Sequence, residues 1–336
     1  MQTLGLSAIR KGLRHAAAEL ILEVCRAKPI RVEQIQLGVM TFKFAVTSPT
    51  NERFVVRFYP PSRAQVAGYE PALLRRFAEA GLRTPEVVMD SNQGPQVGLP
   101  YVIYRMIDGI PLSDRLPLLA FNSLVEVAGE LNRFLEALQT LDVRGYGELV
   151  TANRAPFHRS VDFVERVFSD GLRIATEVRL WPPKTLRALE MIGSNIATLL
   201  REHKGVLAWG DLAPDHVLLS SRNEIVGLVD FEGVMAADPL LSFGYCYARF
   251  CGMPFFEALV RSLSRGLSHG EWQQVQLYAI VRGLRLACFA RVPRAATRVW
   301  GSVPGRRLSP SQRHCPGTDP GCACQIPSSE YNYCSR

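Results

Sequence analysis

The sequence predicts an α+β chain: a small β-rich N-terminal part, then a larger helical part. Three observations carry this. Residues 28–107 hold short alternating apolar and polar runs, such as Phe42-Lys43-Phe44-Ala45-Val46, punctuated by Gly and Pro. From about residue 120, apolar residues recur at helical spacing. That helical part is interrupted by "VLAWGDLAPDHVLLSSRNEIVGLVDFEG", residues 206–233, where polar residues sit between strand-like runs.

The elements follow in order. Residues 6–26 read as an amphipathic helix, and "PIRVEQIQLGVMTFKFAV" as a hairpin around Gly38. "ERFVVRFYPP", 52–61, is a strand stopped by two prolines. Residues 67–82 have helical spacing through Leu73, Leu74, Phe77 and Ala78 and end at Gly81. "TPEVVM" and "PYVIYRMIDG" are two further strands. Residues 120–141 and 182–203 read as helices, the second started by prolines. The insert then reads as strand, loop, strand, strand, loop, and residues 254–290 return to helix. The join of a β-rich and a helical part makes a cleft, where ligand sites prefer to sit.

Length and composition narrow the function. The chain has 336 residues, enough for one large domain or two lobes with a substantial core. No apolar run reaches the roughly 18 residues of a membrane helix. Arg10, Lys11 and Arg14 interrupt the apolar stretch a leader peptide would need, so a cytoplasmic protein is expected. The net charge of +8 suggests nucleic acid, but residues 291–336 carry seven Arg against two acids, so most of the excess sits in the tail. Neither nucleic acid nor membrane is expected as a partner. Cys25, Cys246, Cys251 and Cys288 lie in apolar surroundings and read as thiols of the core; Cys315, Cys322, Cys324 and Cys334 fall in a Pro/Gly/Ser-rich tail without paired metal-site spacing.

The insert carries the chemistry. Phosphoryl transfer needs a carboxylate to accept or orient the proton of the attacking hydroxyl. It also needs one or two ligands that hold Mg²⁺ against the phosphates. These groups must reach one point from two backbone segments, as a D-x-x-x-x-N loop and a strand-end Asp do in protein kinases. Here His216 stands five positions after Asp211, and Asp230 closes the run Ile225-Val226-Gly227-Leu228-Val229. Leu212 and Val217-Leu218-Leu219 would anchor the loop in the core.

The stretch resembles the aminoglycoside and macrolide phosphotransferases, the choline-kinase-like family of small-molecule kinases. Upstream, "IQLGVMTFKFAV" is similar to the family's phosphate-covering hairpin, and "FVVRFYP" to the strand bearing the cation that pairs with the nucleotide. "YEPALLRRFAEAGLRTPEVV" is similar to its Glu-bearing helix, "PYVIYRMIDGIPL" to its interlobe linker, and "RGYGEL" also has the family's character. The resemblance implies a bilobal protein-kinase-like fold. Its parts would be a nucleotide-binding lobe over 1–107, a helical lobe with the catalytic loop and substrate site over 108–295, and a divergent, disordered tail over 296–336. It implies a cytoplasmic, Mg²⁺-dependent kinase moving the γ-phosphate of ATP or GTP to a hydroxyl of an aminoglycoside, macrolide or similar metabolite. Asp211 would be the catalytic base; His216 and Asp230 would hold the metal. Arg57 and Glu70 would form the cation–carboxylate pair near the phosphates, Gly38 would approach them, and residues 103–106, including Ile103 and Arg105, would meet the adenine through backbone groups.

The departures set a competing reading. Trp209 stands where the family has His, Arg57 where Lys is usual, Ser242 where Asp is frequent, and His216 where Asn is common, although the macrolide branch also writes His there. His216 is either a metal ligand or a packed core histidine. Trp209, His216, Ser242 and the tail favour a non-catalytic binding or interaction protein; Asp211, Asp230 and Arg57 favour an enzyme. The acceptor is not encoded legibly, though Asp162, Glu165 and Glu257 in the helical part are candidates to meet a cationic one.

Overall fold

The computed structural model describes residues 2–36, 40–201 and 203–290. Gly38 and the tail over 296–336, with its four cysteines, lie outside these. Helix α1 (Gln2–Cys25) lies against a five-stranded antiparallel sheet of β1 (Arg31–Ile35), β2 (Phe42–Thr47), β3 (Arg53–Phe58), β4 (Val87–Asp90) and β5 (Tyr101–Arg105). The strand order is β1-β2-β3-β5-β4. The alternation in β2 does what it predicts: Phe42, Phe44 and Val46 are buried, while Lys43, Ala45 and Thr47 are half-buried. With Phe54, Val56 and Phe58 of β3 they pack on Leu13, Ala17, Leu20 and Ile21 of α1. The opposite face of β3 also lacks solvent, so its strand is buried at all positions but the first.

Helix α2 (Ala64–Glu79) lies between β3 and β4 in sequence and begins three residues before the spacing predicts. Its end is as expected. Gly81 has φ +72°, and Leu82 N–H donates to the Phe77 carbonyl at 2.9 Å, the closing bond of a left-handed helix cap.

The chain crosses to the helical part through β6 (Ile110–Pro111), which pairs not with the N-terminal sheet but with β9 (Val217–Leu219) of the insert. Helices α3 (Leu112–Arg115) and α4 (Phe121–Gln139) follow, then β7 (Gly147–Glu148) and α5 (Ser160–Glu177). The helix predicted over 182–203 is instead α6 (Pro183–Gly193) and α7 (Ile196–Leu199). The break has a local cause. Ser194 Oγ donates to the Glu190 carbonyl and Asn195 Nδ2 to the Met191 carbonyl, so short polar side chains cap the turn that ends α6.

The insert contributes β8 (Val206–Trp209), β9, β10 (Ile225–Leu228) and an additional strand, β11 (Val234–Ala237). With β6 and β7 they form two three-stranded sheets, β10-β9-β6 and β7-β11-β8. Helices α8 (Leu241–Phe250), α9 (Pro254–Arg261) and α10 (His269–Ala290) complete the described residues. Helix α10 lies against α5 and α8, and both crossings are tight. A Cβ on Gly171 would collide with the Leu284 carbonyl, and one on Gly244 with the Tyr278 side chain. These glycines fix how near α10 approaches, and so where its side chains meet the insert.

Candidate active site

The loop from β8 to β9 is held from below by buried Leu212, Ala213 and Pro214 and closed by a single 3₁₀ turn, Pro214–His216. It is tied to the next loop at two places: Gly210 N–H donates to the Gly233 carbonyl at 3.0 Å, and Val229 N–H to the His216 carbonyl at 2.9 Å. Asp211, His216 and Asp230 are thereby brought to one locus. His216 Nδ1 lies 2.8 Å from the Asp211 carbonyl oxygen. A carbonyl only accepts, so Nδ1 carries the proton, and in the neutral ring Nε2 presents its lone pair. That atom faces Asp230 Oδ2 at 3.8 Å.

Asp230 is the hub. Its backbone is left-handed, φ 69° and ψ 65°, a conformation an L-residue holds only when its surroundings impose it. Lys43 Nζ donates to Oδ2 at 2.8 Å, and Arg57 Nη2 to Oδ1 at 3.2 Å. Burial pushes the Asp230 carboxyl up, but the charges of Lys43 and Arg57 outweigh it and hold it well below the usual carboxylate range.

Arg57 makes further contacts. Nη1 donates to Glu70 Oε1 at 2.8 Å and Nε to Thr41 Oγ1 at 3.0 Å, while Nη2 lies 2.9 Å from Glu232 Oε2. Tyr59 hydroxyl donates to the other oxygen of Glu70 at 2.6 Å. Burial alone would lower the Arg57 guanidinium, and Glu70, Asp230 and Glu232 more than reverse it. Lys43 and Arg57 are register partners on β2 and β3, so both point to the same face of the sheet. Lys43 keeps an 11% exposed side chain against 2% for Arg57.

Residues 31–278 match the phosphotransferase enzyme family. The chain belongs to that family. Its fold is the bilobal, protein-kinase-like one of solved aminoglycoside phosphotransferases. A thermostable mutant of aminoglycoside phosphotransferase APH(4)-Ia, solved as a ternary complex with ADP and hygromycin B, is 17% identical. That match has a TM-score of 0.65 and covers 84% of this chain and 95% of the other. The GDP complex of aminoglycoside 2'-phosphotransferase-IIIa is 18% identical, TM-score 0.66, covering 85% and 95%. ADP-bound aminoglycoside phosphotransferase APH(2'')-Ib is 16% identical, TM-score 0.60, covering 84% and 95%. No protein of curated function matches this chain by sequence.

In this phosphotransferase-family chain, two of the sequence-derived nucleotide contacts sit apart from the carboxylate hub. Ile103 is fully buried in β5, paired with Val56 on one side and Met89 on the other. Arg105 turns outward to Glu52 at 2.6 Å and Glu86 at 3.3 Å. The backbone N–H groups of Arg105 and Met106 already donate to the Glu86 and Arg53 carbonyls. Asp162 pairs with its neighbour Arg159 at 4.0 Å.

The departures acquire physical roles. Trp209 is fully buried, stacks on Phe231 with ring centroids 4.9 Å apart, and donates its indole N–H to the Asp230 carbonyl at 3.3 Å. Ser242 Oγ accepts the Trp209 backbone N–H at 2.9 Å. Both support the hub from behind.

Several site residues were missed in the sequence. Lys43 looked like any polar residue of an alternating strand. Glu232 follows Asp230 by two and carried no signal of its own. Arg249 of α8 and Arg282 of α10 reach Asp211 Oδ1 at 2.9 and 3.3 Å, and no local pattern could have shown this across 38 and 71 residues of chain. Both guanidinium groups use the same oxygen, and Oδ2 of Asp211 lies outside both pairs.

The donor set fits a divalent cation. His216 Nε2 and Asp230 Oδ2 are two electron-rich atoms facing each other, and Glu232 Oε2 is buried with no well-aligned hydrogen-bond donor among the described residues. Mg²⁺ is commonly held by one or two such protein ligands, with substrate phosphates and waters completing the shell. No cluster of three or more His, Cys, Asp or Glu suited to a metal occurs among the described residues. None of the described helices is long and apolar enough to cross a membrane.

Proposed function

We propose that the protein is a Mg²⁺-dependent kinase that moves the γ-phosphate of ATP or GTP to a hydroxyl group of a small molecule. The observation that carries this is the convergence on Asp230. A carboxylate at a strand end meets Lys43, Arg57 and His216, and His216 in turn is bonded to the Asp211 loop. Phosphoryl transfer needs this combination: cations for the phosphates, a metal ligand pair, and a separate carboxylate for the acceptor.

In this reading Asp230 and His216 would hold Mg²⁺, which would supply positive charge to offset that of the phosphates. Arg57 and Glu70 form the internal strut that fixes β3 against α2. Lys43, the more exposed of the two cations, reaches the nucleotide phosphates. Asp211 orients the acceptor hydroxyl and takes its proton on Oδ2. The acceptor oxygen bonds to the γ-phosphorus as the bond to the β-phosphate oxygen breaks, and the nucleoside diphosphate leaves with that electron pair. The buried wall of Trp209 and Phe231 keeps the Asp230 backbone in position.

The self-neutralised state of the site, with both carboxylates ion-paired, also suits a chain that only binds. One experiment separates the two. The purified chain is incubated with Mg²⁺ and ATP or GTP over a panel of hydroxyl compounds, and nucleoside diphosphate release and transferred phosphate are measured. Acceptor-dependent release that is lost on chelation of Mg²⁺ supports the kinase. Nucleotide binding without release under any condition supports the binding protein.

A further inference from the structure

The surroundings of Asp211 differ from those of Asp230 in one respect: their cations come from the helical part. Arg249 of α8 and Arg282 of α10 share one oxygen of Asp211. One turn on along α10, Arg285 pairs with Glu148 of β7. Arg282 lies near enough to both Arg249 and Arg285 for their charges to repel it. So three guanidinium groups gather beside the candidate base, opposed by the carboxylates of Asp211 and Glu148. Their side chains retain 16–22% exposure, so they are neither core groups nor freely solvated ones. Arg249 also lies over the Phe250 ring at 5.0 Å and Arg282 over Tyr245 at 5.2 Å, which holds both planar heads in place.

A fixed, half-buried cluster of like charges costs free energy by mutual repulsion and desolvation. Asp211 offsets part of that cost, but two guanidinium groups on Oδ1 draw charge from the whole carboxylate and make Oδ2 a weaker base for a substrate proton. A negative group on the acceptor resolves both problems: it takes over one or more arginine forks and leaves Asp211 free to meet the hydroxyl. A polycationic acceptor would add to the repulsion.

We propose that the acceptor carries an anionic group, a carboxylate or a phosphate, beside the hydroxyl that is phosphorylated, and that Arg249 and Arg282, with Arg285 behind them, bind it. This rests on the kinase reading of the site. Guanidinium forks match the planar geometry of carboxylates and the tetrahedral one of phosphates, and charge-assisted pairs are the strong ones. Binding the anion transfers Arg249 from Asp211 to the substrate, so Asp211 becomes the stronger base when an acceptor of the right charge is present.

The test uses the full chain, saturated with Mg²⁺ and nucleotide, and matched pairs of probes: glycerate against glycerol, gluconate against glucitol, and glucose 6-phosphate against glucose. Hygromycin B serves as a polycation. Binding is followed by calorimetry and turnover by nucleoside diphosphate release. The expected result is binding of the charged member in at least one pair, about 10²-fold tighter than its neutral partner. Arg249→Gln removes that preference, and Arg249→Lys restores part of it. In turnover, Arg249→Gln raises KM for the charged acceptor more than it lowers kcat, a split that a purely structural role for Arg249 would not give. Anion preference that depends on Arg249, with no turnover of any acceptor, overturns the kinase reading and the acceptor role with it, and leaves the three arginines as an anion-binding site alone. Equal binding or turnover of charged and neutral members in all pairs, or preference for hygromycin B, overturns the proposal and leaves the kinase reading standing.

Discussion

Arg57 and Glu70 meet at 2.8 Å with both side chains 2% exposed, so the strut between β3 and α2 is a charge pair with almost no access to water. Removing one partner of a buried pair costs about 3–5 kcal/mol, and because Asp230 and Glu232 still face Arg57 the low end of that range is expected. Glu70→Ala is expected to lower Tm by on the order of 10 °C. Thermal melting of the chain without nucleotide measures this; an unchanged Tm would show that the pair is not part of what holds the sheet to the helix.

Lys43 has a different task from Arg57, and its loss should read differently. All of the Arg57 contacts are internal, whereas Lys43 contacts only the hub and keeps partial exposure. Lys43→Met is expected to lower kcat/KM for nucleotide by roughly 10²-fold, the size of a lost charge contact in the transition state, while Tm moves little. Lys43→Arg retains most of the activity. If Arg57→Lys rather than Lys43→Met governed nucleotide KM, the assignment of the two cations would be reversed.

This division of labour marks where sequence reading stops. The alternation in β2, the glycine stop of α2 and the strand-end Asp230 are local signals, and each appears in the structure where its pattern puts it. The pairing of Lys43 with Asp230 spans 187 residues of chain, and that of Arg282 with Asp211 spans 71. Such pairs arise from how sheets and helices pack, and no periodicity encodes them. The helix over 182–203 was over-read for the opposite reason. Its apolar spacing continues, but Ser194 and Asn195 satisfy carbonyls of their own turn and end it. The resemblance assigns residues 103–106 to the adenine through backbone groups, which leaves the Arg105 side chain free to pair with Glu52 and Glu86, two contacts that no local pattern shows.

Asp211→Asn keeps the size of the side chain and removes its ability to take a proton. The expected result is a fall in kcat of roughly 10²–10⁴-fold with nucleotide affinity unchanged. Rapid-mixing measurement of nucleoside diphosphate release, beside calorimetric nucleotide binding, checks both halves. Full turnover in the Asn variant would remove Asp211 from proton transfer.

For His216, the ligand and core-packing readings lead to different Mg²⁺ titrations. His216→Ala should raise the Mg²⁺ concentration for half-maximal activity by about 10-fold or more, in the range seen when a metal shell is disturbed. His216→Asn should keep it near the parent value, since an amide oxygen suits Mg²⁺ at least as well as an imidazole nitrogen. Mg²⁺ titrations of the two variants decide the matter. Equal titrations for both, with a lowered Tm in each, would make His216 a packing residue of the loop.

The indole of Trp209 has one further consequence, and it is optical. The ring is out of solvent, stacked on Phe231, and hydrogen-bonded to the backbone of Asp230. Its emission therefore samples the electric field of the residue on which the cations converge. When ligands add or redistribute charge at Asp230, the wavelength and yield of that emission should shift, without any attached dye. Trp209→Phe should silence the response while the remaining tryptophans keep the baseline. The buried wall that holds the Asp230 loop in place thus also makes the protein its own fluorescent reporter of what enters beside that loop.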